Sequence, residues 1–155
     1  MRTFLPIPKG EQTVMPYLTV KNADAAIAFY SRVFDAKELG RLVMMGMIGH
    51  AELQIGDCKI MLTEENLDWG SKSPATLGGS PVTIALYVAD VDASFQRAVD
   101  AGATATMPVK DEFYGLRVGV VVDPFGHKWH ISTPIETVSF DEMQKRCDTM
   151  FAGNA

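Results

Sequence analysis

Only two cysteines occur in 155 residues, Cys58 and Cys147, and they form no Cys-x-x-Cys spacing. Neither a disulfide framework nor a thiol redox motif is expected, so the thiols read as reduced. No apolar signal-like segment opens the chain, which together with the thiols predicts a cytoplasmic protein. No apolar run approaches the ~20 residues that span a bilayer, so a membrane partner is not expected. Lys and Arg number 14 against 19 Asp and Glu, a net charge of -5, and are scattered singly. That leaves no basic face for a phosphate backbone and argues against nucleic acid. There is no P-loop, no Gly-x-Gly-x-x-Gly, no glycine-rich adenosylmethionine loop and no Ser/His/Asp order.

What is present is a repeat. Leu18-Thr-Val20-Lys-Asn22-Ala-Asp24-Ala25 returns at an offset of 68 as Leu86-Tyr-Val88-Ala-Asp90-Val-Asp92-Ala93. Each copy passes from a strand pattern through an Asn or Asp cap into an apolar-periodic helix. Lys59-Ile-Met61-Leu-Thr63 returns at an offset of 69 as Lys128-Trp-His130-Ile-Ser132, with the same alternation. A duplicated β-α-β-β-β unit follows. A chain of this length buries roughly 70% of its unfolded surface and folds without staples.

The periodicity predicts a strand over 14–20, a helix over 23–34 with Ala23, Ala26, Ile27, Tyr30 and Phe34 inward, and strands near 36–46, 48–55 and 58–63. The second copy reads as a strand at 82–89, a helix at 91–101 burying Val91, Phe95 and Ala98, and strands near 104–110, 116–122 and 128–132. Residues 1–13 form an N-terminal extension, 14–64 the first module, 65–80 a linker rich in Gly, Ser and Pro, and 81–134 the second module. Residues 135–155 hold a C-terminal helix opened by the capping box Ser139-x-x-Glu142, with Phe140, Met143, Cys147 and Met150 as its apolar stripe.

The opening Tyr17-Leu-Thr-Val-Lys-Asn-Ala-Asp-Ala-Ala-Ile-Ala-Phe29-Tyr30, the strand His50-Ala-Glu52-Leu-Gln-Ile-Gly56-Asp57 and the turn Asp123-Pro-Phe-Gly126-His-Lys-Trp129 resemble the glyoxalase/bleomycin-resistance group, the vicinal oxygen chelate superfamily, and its PhnB-like branch. The resemblance implies an α+β fold in which the duplicated modules form a curved eight-stranded mixed sheet around a cavity, helices outside. It also implies four metal ligands, one each from the first and last strand of both modules. Those positions fall on Met15, Met61, Thr83 and His130. Thioethers and a hydroxyl are poor donors to Zn, Ni, Mn or Fe. No metal and no other cofactor is therefore expected, and metal-dependent chemistry of the family type is disfavoured.

Alternation places Met15, Tyr17, Thr19, His50, Glu52, Gln54, Lys59, Met61 and Thr63 on one face of the first module. In the second it places Thr83, Ala85, Tyr87, Arg117, Lys128 and His130 on the matching face. A polar inner face against an apolar outer one predicts a ligand-filled pocket. The ligand-binding candidates are Tyr17, His50, Glu52, Tyr87, Arg117 and His130, with Arg117 as the anchor for an anion or the partner of Glu52. His50, Glu52 and His130 are the acid-base candidates, whereas His127 reads as turn chemistry. The leading expectation is a protein that binds a small organic molecule without a metal. The alternative is a lyase, isomerase or dioxygenase-type enzyme using His50, Glu52 or His130 as acid-base groups or as non-standard metal ligands. Unpaired strand edges and the 65–80 linker predict a homodimer, with the C-terminal helix at or near the interface.

Overall fold

The structure, a computed structural model, describes residues 7–152. The first six residues of the expected N-terminal extension and the last three of the tail lie outside the described residues. The chain divides into two compact units, one ending at Ser80 and the other starting at Pro81.

In the first unit β1 (Tyr17–Val20) leads into α1 (Ala23–Phe34), followed by β2 (Lys37–Met44), β3 (Met47–Ile55) and β4 (Cys58–Glu64). The four strands form one sheet in the order β1-β4-β3-β2, with β1 parallel to β4 and the other pairs antiparallel. Asn22 starts α1 because its Oδ1 accepts the Ala25 N–H at 3.0 Å, satisfying a donor that the first helical turn leaves unpaired. Asp35, in the left-handed region at φ 54°, ends it. The stripe read from the sequence is buried, with Phe29 and Val33 added, and it covers Leu18, Val20, Ala51, Leu53, Ile60 and Leu62 of the sheet. Each such Leu or Ile contributes roughly 1.5–3 kcal/mol relative to an exposed position.

The second unit repeats the plan with β5 (Thr83–Tyr87), α3 (Val91–Asp100), β6 (Thr104–Asp111), β7 (Leu116–Val122) and β8 (Lys128–Pro134), in the order β5-β8-β7-β6. Asp90 caps α3 through the Ala93 N–H at 3.0 Å, as Asn22 does α1. The register repeats as well: Tyr17 lies opposite Met61 in the first sheet and Ala85 opposite His130 in the second. Trp129, Ile131 and Val121 are fully buried beneath α3. Gly119 shares that face, and a Cβ there would lie 2.5 Å from the Phe95 ring and 2.8 Å from Val109, so the glycine makes room for the helix. Pro108 sits on β6, an edge strand, where its missing N–H disrupts least.

The first strand of each module is shorter than expected: residues 14–16 precede β1, and β5 begins at Thr83 and stops at Tyr87. The Gly/Ser/Pro-rich stretch is locally built. It holds a turn of 3-10 helix at Leu67–Trp69, the short α2 (Pro74–Leu77) and a bridge between Asn66 and Ser71. Glu65 organises it, its carboxylate accepting the Ser73 N–H at 2.6 Å and the Thr76 hydroxyl at 2.9 Å. The C-terminal helix α4 (Phe140–Phe151) is capped by Ser139 as read, but it buries none of its residues. Its Arg146 fastens it, donating to both carboxylate oxygens of Glu136, to Glu142 and to the Phe113 carbonyl.

Candidate functional site

The strand period of two sends Leu53, Ile60 and Leu62 toward α1 and leaves His50, Glu52, Met61 and Tyr17 on the opposite face of the first sheet. There the structure joins three of the expected ligand-binding residues. The Tyr17 Oη lies 2.8 Å from His50 Nδ1, and His50 Nε2 lies 3.3 Å from Glu52 Oε1. The Tyr17 and His50 rings meet edge to face with centroids 5.5 Å apart. The group remains open to solvent: the His50 and Glu52 side chains are 27% and 36% exposed, and Tyr17 is 52% exposed. Met61, opposite both Tyr17 and Glu52 on β4, forms the floor between them. Gly40, opposite Glu52 on β2, leaves the neighbouring surface uncrowded, and Leu42, opposite His50, is exposed.

A phenol, an imidazole and a carboxylate in series form the arrangement from which acid-base groups are drawn. Glu52, as a carboxylate, only accepts, so the neutral imidazole carries its proton on Nε2 and presents a lone pair at Nδ1. The Tyr17 hydroxyl therefore donates to His50. Sequence reasoning put these residues on one face but did not foresee the Tyr17–His50 bond, because β4 separates their strands.

In the second unit His130 and Tyr87 lie, as expected, on the face turned away from α3; His130 is half-buried and Tyr87 is 65% exposed. Arg117 does not join them. It stands opposite Thr133, in phase with Gly119 and Val121, on the face that meets α3. Its Nε and Nη2 donate to the two oxygens of Asp92 on α3 at 2.7 and 2.8 Å, and its Nη1 to Asp111 at 2.8 Å. This corrects the placement of Arg117 on the inner face and its proposed pairing with Glu52. Residues 118–122 are apolar or glycine on both faces, so β7 carries no alternation from which its phase can be read. Val118 and Val120 occupy the inner positions instead, and both are buried. The clasp holds Asp92 below the usual carboxylate range through its hydrogen bonds with Arg117. The first module has its counterpart in Arg41, which binds Asp24 at the start of α1 and Glu38. The two aspartates are repeat-equivalent at an offset of 68, but the arginines are not, since Arg41 lies on β2 and Arg117 on β7, so the repeat gives no signal for the clasp.

The motif Asp123-Pro-Phe-Gly-His-Lys-Trp129 is structural. The Asp123 carboxylate accepts the N–H groups of Phe125 and His127 at 2.9 Å each and the Trp129 indole N–H at 2.8 Å, while Gly126 turns the chain at φ 90°. The His127 backbone closes the turn through both its N–H and its carbonyl, and the residue is only 8% exposed.

The four positions that the resemblance implies for a metal, Met15, Met61, Thr83 and His130, carry two thioethers, a hydroxyl and one imidazole, and Met15 precedes β1 instead of lying on it as expected. That donor set does not fit a divalent ion. Among the described residues no cluster of three or more His, Cys, Asp or Glu comes together to hold one elsewhere.

Comparison with known proteins agrees with the fold. Residues 12–131 match the family model described as the glyoxalase/bleomycin resistance protein/dioxygenase superfamily. An uncharacterized protein of Mycobacterium bovis is 47% identical over 138 residues, covering 86% of this chain and 91% of that protein. The crystal structure of TioX from Micromonospora sp. ML1 is similar at 29% identity and a TM-score of 0.62, covering 79% of this chain and 99% of the other. The fosfomycin resistance protein FosX of Listeria monocytogenes, solved with Mn(II) and sulfate, shares the fold at 19% identity and a TM-score of 0.62, covering 88% of this chain and 97% of its own.

Proposed function

The chain belongs to the glyoxalase/bleomycin resistance protein/dioxygenase superfamily, and within it we propose that it binds a small organic molecule on the Tyr17–His50–Glu52 face of its first sheet, without a metal at the family positions. The observation that carries this reading is the hydrogen-bonded series itself, three polar side chains held together yet open to solvent beside Met61 and the exposed Leu42. A few placed polar groups against apolar surface are what recognition of a small ligand requires. Tyr87 and His130 are ligand-binding candidates on the second module's own inner face. The motifs His50-Ala-Glu52-Leu and Asp123-Pro-Phe-Gly-His127 support placing the chain in the PhnB-like branch.

A second reading, an acid-base lyase or isomerase using His50, Glu52 or His130, is favoured by the same Tyr17–His50 and His50–Glu52 contacts. The test for both is a panel of small organic molecules followed by thermal shift and by amide chemical-shift mapping. The expected result is a binder whose shifts centre on β1, β3 and β4 and whose affinity falls at least about tenfold in His50→Ala. Binders that map elsewhere, or that ignore His50→Ala, contradict the assignment. Turnover of a bound compound, lost with His50, would favour the enzyme.

The proposal extends to assembly and location. A homodimer involving α4 is supported by the exposure of Phe140 (88%), Met150 (57%) and Phe151 (57%). No helix of the described residues is long and apolar enough to cross a membrane. Both thiols are unpaired with each other, which supports a reducing, cytoplasmic setting.

A further inference from the structure

We propose that Tyr17, His50 and Glu52 form a proton relay that selects ligands presenting a weakly acidic O–H or N–H to Tyr17 and takes up that proton. This rests on the reading of the face as a ligand site and names the chemistry of its ligand. Glu52 offers only acceptors to His50 Nε2, so Nε2 bears the hydrogen and Nδ1 the lone pair. The Tyr17 hydroxyl, 2.8 Å away, has a single proton and donates it to Nδ1. What Tyr17 turns to a ligand is then oxygen lone pairs alone. A carbonyl or ether placed there meets another acceptor; a phenol, oxime or imide finds a partner.

The transfer balances without a redox partner. The ligand's X–H bond breaks and X keeps the electron pair. Its proton passes to the Tyr17 oxygen as the Tyr17 proton moves to His50 Nδ1. The resulting imidazolium is offset by the Glu52 carboxylate, and release of the ligand reverses every step. The surroundings suit a planar ring attached to X–H. Met61 lies between Tyr17 and Glu52, Leu42 is exposed opposite His50, and the position of Gly40 beside Glu52 is open. Methionine sulfur is a favourable neighbour for such a ring.

The probes are 4-nitrophenol and 4-nitroanisole, which share a ring and differ in having or lacking the proton. Wild-type protein is expected to bind the phenol about tenfold or more tighter than the ether, with growth of the nitrophenolate absorption beyond that of the dye in buffer at the same pH. Tyr17→Phe and His50→Gln should each reduce the phenol to the level of the ether and abolish the band. Tyr17 is exposed, and circular dichroism is expected to show both variants folded. Imidazole nitrogen shifts in the ligand-free protein should report His50 as the Nε2–H tautomer. The Nδ1–H tautomer, equal binding of the two probes, or a preference that survives Tyr17→Phe would each overturn the relay. So would no binding of either probe. In these cases a panel ligand still mapping to β1, β3 and β4 leaves the broader site reading standing, so the two failures are told apart.

Discussion

Tyr17 and His50 belong to strands that do not touch, since β4 runs between β1 and β3, yet the phenol oxygen and the imidazole Nδ1 are 2.8 Å apart. Strands two places apart in a sheet are separated by about 9.5 Å, a gap closed only by two large side chains leaning toward each other above Met61. The contact thus ties the edge strand β1 to β3 on the face away from α1, and it leaves the pair reachable from solvent.

The Asp123 turn is the most concentrated structural dependency in the second module. Asp123→Ala removes the acceptor of two backbone N–H groups and of the Trp129 indole, in a residue only 4% exposed. A loss on the order of 3 kcal/mol is expected, read as a lower denaturation midpoint with an unchanged slope. A loss below about 1 kcal/mol would mean that water replaces the carboxylate.

Two glycines should respond oppositely to a methyl group. Gly119→Ala drives a Cβ into Phe95 and Val109 and is expected to destabilise by about 1–3 kcal/mol. Gly40→Ala meets nothing within 4 Å, so its effect should stay within about 0.5 kcal/mol. Thermal unfolding of the two variants side by side decides the matter.

Glu65 gives the segment after β4 a dependence on acid. Its carboxyl is pulled down to about 2, chiefly by the Ser73 N–H and then by the Thr76 hydroxyl. A carboxyl depressed on folding stabilises fully above its unfolded value of 4.5, and that contribution drains away as pH falls from there through about 2. The protection of the Ser73 amide against hydrogen exchange, relative to the intrinsic rate at each pH, should fall across that window, and in Glu65→Gln it should be low already at neutral pH. An amide equally protected in the variant would remove Glu65 from the role.

Elemental analysis of protein purified without a histidine tag should find less than a tenth of an equivalent, roughly, of Zn, Ni, Mn or Fe held at positions 15, 61, 83 and 130, because their donors do not suit these ions. Near one equivalent, lost on His130→Ala, would refute this.

Light scattering should give a mass about twice the 16.9 kDa of the chain, and Phe140→Glu with Met150→Glu should shift it toward the monomer. A mass of a single chain at all concentrations contradicts the dimer.

Local chemistry is why so much of this fold reads directly from the residues. Asn22 and Asp90 cap helices by reaching three residues ahead, and Leu53, Leu62, Trp129 and Ile131 announce their face by a period of two, so the repeat, the helices and the shared register need no distant partner to be recognised. The same period placed Tyr17, His50 and Glu52 together. Tertiary structure decided what a period cannot encode. Arg117 sits in a strand apolar on both sides, and only the arrival of Asp92 on α3 and Asp111 on β6 shows which face it takes. The reach of Tyr17 over β4 to His50 depends on strand order, set by pairing between residues far apart in the chain, and that pairing turns three polar side chains into a connected site.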